Sequence, residues 1–261
     1  MRGGSRLDER LVRDGLADSR VRAQALIRAG HVLVDDTPQD KPGTRVRDAA
    51  RVRVRGASRR YVSRGGEKLA GALDALGVRV AGRACLDVGA SSGGFTDCLL
   101  QRGAASVVAV DVGYGQLAAG LRADPRVHVR ERTNARHLAA DVLPGPVSLV
   151  TADVSFISLR LLIPALARCA PRAEWLLMVK PQFEVGPERV GKGGVVRDDA
   201  TREEAADAVA AEARRHGFRE AGRCESPLPG PKGNREIFLR LLPPDADPMF
   251  HQSGTGSTVC P

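Results

Sequence analysis

The stretch from Cys85 to Leu117, CLDVGASSGGFTDCLLQRGAASVVAVDVGYGQL, constrains this chain more than any other. An apolar run closing on Leu86-Asp87-Val88 stops at a glycine-rich loop, Gly89-Ala90-Ser91-Ser92-Gly93-Gly94. Apolar Phe95, Cys98 and Leu99 then recur at helical spacing, and a second apolar run, Val107 to Val110, ends on Asp111. The order is strand, tight loop, helix, strand, acid. Glycines let backbone N–H groups come close to a ligand, and a helix N-terminus favours polar or anionic groups there. An acid after the second strand stands where α/β nucleotide sites hold both hydroxyls of a ribose. The pattern asks for an adenosine-like ligand.

Two common nucleotide loops fail on spacing. A dinucleotide fingerprint needs a second glycine where Ala90 and Ser91 stand, and a P-loop needs a lysine where Phe95 stands. What remains, D-V-G-A-S-x-G-G-F-T, resembles motif I of the S-adenosylmethionine-dependent methyltransferases. That resemblance implies S-adenosyl-L-methionine as cofactor. Its contacts would be Asp87, Gly89, Ala90, Ser91, Gly93, Gly94, Phe95, Asp111 and Val112. Asn134, after the third apolar run Val127-His128-Val129, would take the adenine side, and Asp153 would also touch the cofactor. The implied fold is a Rossmann-like, seven-stranded α/β sheet with helices on both faces over residues 65–242.

Charge separates a second region from this one. The net charge is +9, and residues 1–60 alone carry +7 of it. A basic segment ahead of a nearly balanced domain points to a polyanion-binding module, with nucleic acid as the expected partner. The five cysteines are scattered and no Cys/His cluster has metal-ligand spacing, so neither a disulfide framework nor a metal is expected. The first residues, MRGGSRLDERLVRDG, lack the apolar core of a signal peptide. No window offers some 18 uninterrupted apolar residues. A soluble, cytoplasmic monomer is expected, with no membrane partner.

Within residues 1–60, Leu7, Leu11 and Val12, then Val21, Ala25 and Leu26, read as two short helices, with Asp18 or Ser19 capping the second and Gly30 ending it. Two strands follow, around Val32-Leu33-Val34 and Val52-Arg53-Val54, with a Lys41-Pro42-Gly43-Thr44 turn between them. This α+β set resembles the alpha-L RNA-binding module of ribosomal protein S four. Arg6, Arg20, Arg22 and Arg28 are its candidate RNA contacts. Asp35-Asp36 replaces the Asn-Gly often found there, which should leave the fold alone. Stacking aromatics are absent, so phosphate and shape contacts on folded RNA are expected. Arg59, Arg60 and Arg64 extend the basic surface into a short linker at 61–64.

Only five lysines stand against 35 arginines. Lysine can give up its proton and arginine effectively cannot, so retained lysines are candidates for proton chemistry. Lys68 lies early in a helix, Asp153 follows the run Ser148-Leu149-Val150, Lys180 ends Trp175 to Val179, and Glu236 begins Ile237-Phe238-Leu239. In a methyltransferase sheet the last strand is antiparallel, so Asp153, Lys180 and Glu236 reach the sheet edge that carries the glycine loop.

Lys68, Asp153, Lys180 and Glu236 match the Lys-Asp-Lys-Glu tetrad of FtsJ-type ribose 2′-O-methyltransferases. Further matching stretches are Val62 to Leu69, Asp87 to Thr96, Asp111 to Leu117, Asp153 to Phe156, Lys180 to Glu184 and Gly233-Asn234-x-Glu236. With the N-terminal module, residues 5–241 resemble the TlyA family of ribosomal-RNA 2′-O-methyltransferases. The resemblance implies a cytidine ribose of ribosomal RNA as substrate, in the small subunit and in many members the large one. Close approach of the two amines would make a neutral one available through repulsion. Lys180 is the expected base, Lys68 steers the hydroxyl or a phosphate, and the carboxylates orient both. The loop from Gly186 to Asp198 reads as a target-RNA loop, with Lys192 and Arg197 on phosphates. Residues 243–261 read as a disordered tail. The rival readings are an RNA-binding ribosome-assembly factor without turnover, and a haemolysin, a label the family has carried.

Overall fold

A computed structural model describes residues 4–17, 19–55 and 60–244. The N-terminal module opens with a two-residue strand, β1 (Ser5–Arg6), and two helices, α1 (Leu7–Arg13) and α2 (Arg20–Arg28). Four short strands follow: β2 (Val32–Val34), β3 (Thr37–Gln39), β4 (Arg45–Val46) and β5 (Val52–Val54). Ser19 caps α2, its hydroxyl accepting from the Arg22 amide at 3.2 Å. Leu7, Leu11, Ala23 and Ile27 form a small core with Val32 and Val46. The turn Asp35-Asp36 puts both residues at positive φ, 48° and 65°. That is the backbone a tight hairpin between β2 and β3 needs, and aspartate tolerates it. The fold is kept despite the missing Asn-Gly. Strand β3 was not expected, because Thr-Pro-Gln carries no strand pattern; Pro38 is accommodated because β3 is the sheet's edge.

Residues 61–64 are not a free linker. Tyr61 is buried, the Val62 amide donates to Asp97 Oδ2 at 2.8 Å, and Ser63 caps the helix that Arg64 begins. Arg59 and the tail from 245 onward lie outside the described residues.

The second domain alternates helices and strands: α3 (Arg64–Ala75), β6 (Ala84–Val88), α4 (Gly94–Gln101), β7 (Ser106–Val110), α5 (Ala119–Arg122) and β8 (Val127–Arg130). It continues through β9 (Leu149–Ala152), α6 (Ile163–Cys169), β10 (Glu174–Val179), α7 (Pro181–Glu184), α8 (Asp199–Arg215), β11 (Arg219–Glu225) and β12 (Ile237–Leu242). The seven strands are ordered β11-β12-β10-β9-β6-β7-β8, and β12 is antiparallel to both neighbours. Successive side chains of a strand face opposite ways, so one apolar run serves two cores. Leu86, Val88, Val150 and Leu177 pack with α6 and α8, while Cys85, Leu149, Leu176 and Met178 pack with α3 and α4. This three-layer arrangement brings the ends of β6, β7, β9 and β10 and the start of β12 to one edge.

Candidate active site

The glycine loop is shaped by what it touches. A Cβ on Gly89, which sits at φ +83°, would stand 2.4 Å from the Asp153 carbonyl oxygen. The loop after β6 and the loop after β9 therefore touch backbone to backbone, which only glycine permits. Asp111, after β7, accepts from the Ser91 amide at 2.8 Å and from the Gly113 amide at 2.7 Å. Each carboxylate oxygen keeps a second lone pair for a ligand.

Two cavities meet at this edge. One, of about 480 Å³, is lined by Gly89, Ser91, Asp111, Val112, Gln116 and Asn134, among others. The other, of about 770 Å³, holds Lys68, Lys180 and Glu236, with Ala90, Gly94 and Phe95 on its wall. Gly89, Ser91, Asp153 and Ser155 line both.

The four charged residues come together, three of them at the strand ends that predict it and Lys68 from helix α3. Lys68, on α3, pairs with Glu236 just ahead of β12, both nearly buried. Lys180, after β10, pairs with Asp153 at 2.5 Å and donates to Ser155 Oγ at 2.8 Å. Each amine has its own carboxylate, so the site is two ion pairs. Burial pushes the Glu236 carboxyl above its ordinary value, while Lys68 and Lys180 oppose that rise.

Some expected contacts have other work. Asp87 is fully buried beneath the loop and lines neither cavity. Its carboxylate accepts from Thr96 Oγ1 at 2.7 Å and Thr151 Oγ1 at 3.4 Å, and burial pushes its pKa up to about 7. Gly93 also lines neither cavity; it turns the chain at φ +97° against Leu117 and Leu121. Ala90, Gly94 and Phe95 face the larger cavity only. Asn134 lines the smaller cavity and caps a short turn, accepting from the Arg136 amide at 3.0 Å.

The basic residues divide likewise. Arg6 and Arg20 each donate to the buried Asp8 at 3.0 Å, joined by Gln24 at 2.9 Å. The Arg6 guanidinium above all holds the Asp8 carboxyl well below the usual range. Arg20 and Gln24 thus tie α2 to α1 through Asp8, while Arg6 braces the same carboxylate from the strand ahead of α1. Arg22 and Arg64 line the larger cavity, with Ser19 beside Arg22, so the N-terminal module reaches the catalytic edge. Arg28, Arg60, Lys192 and Arg197 are exposed.

Four more side chains have defined partners around the site and were not singled out from sequence, although the matching stretches contain them. Ser155 is a partner of Lys180. Phe156 is 92% exposed at φ +65°, 5.3 Å from the Phe183 ring. Asn234, which is buried, accepts from the Val196 amide and donates to the Gly194 carbonyl, pinning the loop 186–198. Glu184 accepts from Ser158 Oγ at 2.5 Å and the Leu159 amide at 2.7 Å, lacing α7 to the loop after Asp153. Asparagine and glutamate are common in solvated loops, so only tertiary placement sets these apart.

A family model described as FtsJ-like methyltransferase matches residues 61–241, and one described as S4 domain matches residues 5–52. The 16S/23S rRNA (cytidine-2′-O)-methyltransferase TlyA of Mycobacterium tuberculosis is 55% identical over 239 residues, covering 91% of this chain and 89% of that protein. Hemolysin A of Brachyspira hyodysenteriae is 40% identical, covering 91% and 99%. A solved structure from Streptococcus thermophilus, described as a hemolysin, is similar with a TM-score of 0.76 and 39% identity. That match covers 94% of this chain and 90% of that one.

Proposed function

Because this chain belongs to the FtsJ-like methyltransferases of the TlyA type, with an S4 domain ahead of the catalytic sheet, we propose that it methylates a cytidine 2′-oxygen of ribosomal RNA through Lys68, Asp153, Lys180 and Glu236. It is an S-adenosylmethionine-dependent rRNA 2′-O-methyltransferase. In our reading it acts as a monomer in the cytoplasm, on a small-subunit cytidine and on a large-subunit one as well.

The residues present suit the cofactor. The smaller cavity has the size of a small-ligand site, and the Asp111 carboxylate on its wall keeps lone pairs for the two hydroxyls of a ribose. Gly89, Ser91, Asp111, Val112 and Asn134 would hold it. When bound, S-adenosylmethionine supplies an electrophilic sulfonium methyl.

The chain's own groups handle the hydroxyl. A neutral 2′-hydroxyl is a poor nucleophile until its proton is removed or shared. Lys180, once its ammonium has passed a proton to solvent, takes that proton as a neutral amine, with Asp153 and Ser155 fixing the nitrogen. Lys68, oriented by Glu236, steers the hydroxyl or the adjoining phosphate. The observation that carries this reading is the wall common to both cavities, where Asp153 and Ser155 hold Lys180.

Tritiated-methyl transfer to purified 30S and 50S subunits tests it. Lys180→Ala is expected to lower incorporation at least about 100-fold while calorimetric cofactor affinity stays close to wild type. Undiminished incorporation by that variant overturns the tetrad mechanism. No incorporation by the wild type into either subunit overturns the substrate.

A further inference from the structure

A separate cavity of about 390 Å³ lies where the loop 186–198 meets the segment ahead of β12. Arg197, Arg202, Lys232 and Arg235 line it, with Asp199 as its acid. Two of these cations are already matched. Arg202 pairs with Asp199 and also donates to the Arg197 carbonyl at 3.0 Å, and Arg235 pairs with Glu225 at 2.5 Å. Arg197 and Lys232 are exposed and have no acidic partner among the described residues. The cavity therefore carries about two uncompensated positive charges on a preformed frame.

That frame is tied by hydrogen bonds on both sides. Asn234 bonds Val196 at 2.9 Å and Gly194 at 2.8 Å, tying the loop to the segment that bears Lys232. The Gly230 amide donates to the Asn234 carbonyl at 2.8 Å, closing that segment on itself. The position relative to the catalytic edge follows from the chain. Pro231 lines the catalytic cavity, and the next residue, Lys232, lines the cationic one. Glu236 and Arg235 divide in the same way. Arg22 and Arg64 supply cations within the catalytic cavity itself.

We propose that this cavity is a phosphate site for the target RNA strand, taking the backbone phosphate next to the methylated nucleotide on the Lys232 side. A strand that places its ribose at Lys180 passes over Pro231 and sets the adjoining phosphate between Arg197 and Lys232. Phosphate contacts fix register without reading bases, so this site positions the ribose rather than choosing the sequence. The inference rests on the RNA-methyltransferase reading above.

Filter binding of unmethylated 30S subunits across a potassium chloride series tests it, beside methyl-transfer kinetics. The double variant Lys232→Ala, Arg197→Ala is expected to lower the slope of log K against log salt by about 0.7 to 0.9, one phosphate's worth. It should raise KM for the subunit about fivefold or more, beyond any fall in kcat. Lys232→Arg alone should keep the wild-type slope, since either cation can hold a phosphate. Arg172→Ala, an exposed arginine on another surface, serves as the charge control and should not change the slope. An unchanged slope and KM in the double variant overturns the proposal, and so does an equal loss of slope in Arg172→Ala. Failure of the wild type to methylate the subunit instead overturns the reading on which it rests.

Discussion

Replacing Asp87 by asparagine probes the one carboxyl that lies wholly under the cofactor loop. Burial is the main cause that pushes its pKa up to about 7, and the Thr96 and Thr151 hydroxyls only partly offset it. In the unfolded chain the same group titrates near 3.9. Between these values the native state holds a proton that the unfolded state has released. Its stabilising contribution is therefore complete below about pH 4 and is lost as pH rises through 7. Three pKa units correspond to about 4 kcal/mol, of which about 3 kcal/mol falls between pH 5 and 8. Asparagine keeps the shape, accepts from Thr96 and donates to Thr151, and cannot ionise. Urea unfolding of the cofactor-free protein at pH 5 and pH 8 is the assay. The variant is expected to gain up to about 3 kcal/mol on the wild type across that interval. Glu184 and Glu236 are also pushed up by burial and add slope of the same sign, but they do so in both proteins. Asp8, held low by Arg6, acts with opposite sign and only at more acid pH. Parallel pH profiles for the two proteins would show that Asp87 is ionised in the native state, and the reasoning fails.

Two further perturbations follow from the same edge. Gly89→Ala places a methyl against the Asp153 carbonyl in a left-handed backbone conformation. It is expected to cost about 2 kcal/mol or more and to weaken calorimetric cofactor binding at least tenfold; wild-type affinity would refute the close contact. Glu184→Gln sets an amide against Arg160 and disturbs the bonds to Ser158 and Leu159. Loss of about 1–3 kcal/mol of stability is expected, with a fall in kcat larger than any rise in KM for the subunit. An unchanged melting temperature and kcat would show that Glu184 does not hold the loop after Asp153 in its working position.

The parts legible in the sequence were those in which residue type answers to a local need. The strands around Leu86, Val108, Val150 and Leu177 are buried on both faces and so stand out as apolar runs. Asp111, Asp153, Lys180 and Glu236 follow from strand ends, because topology brings them to one edge, whereas Lys68 comes from helix α3. Strand β11, Arg219–Glu225, could not be read that way: it is a sheet edge, with an irregular register at Glu220/Gly222, and its residues are mostly polar. Charge was the least faithful guide. Arg6 and Arg20, read as RNA contacts, also hold the buried Asp8, a carboxylate at 0% exposure that needs such partners, while 40% and 53% of their side chains stay exposed. Asp87 misled in the opposite direction, since motif position says nothing of which way a side chain leaves its strand. Tyr61 and Val62 looked like linker because the basic residues beside them masked a contact with α4.

The geometry of Gly89 explains why this loop departs from the dinucleotide pattern. A dinucleotide loop needs its second glycine so that a pyrophosphate can approach the backbone. Here the crowded neighbour is protein: the Asp153 carbonyl occupies the space beside Gly89, and Ser91 turns its amide to Asp111. The two loops thereby meet where the two cavities adjoin, and Gly89, Ser91, Asp153 and Ser155 line both. In-line displacement needs the attacking oxygen and the methyl carbon roughly 3–3.5 Å apart. A donor and an acceptor held in separate cavities can meet at that distance only if nothing bulky stands between them. A glycine backed by a backbone carbonyl meets that requirement, and it also sets the residue that follows β9, Asp153, against Lys180.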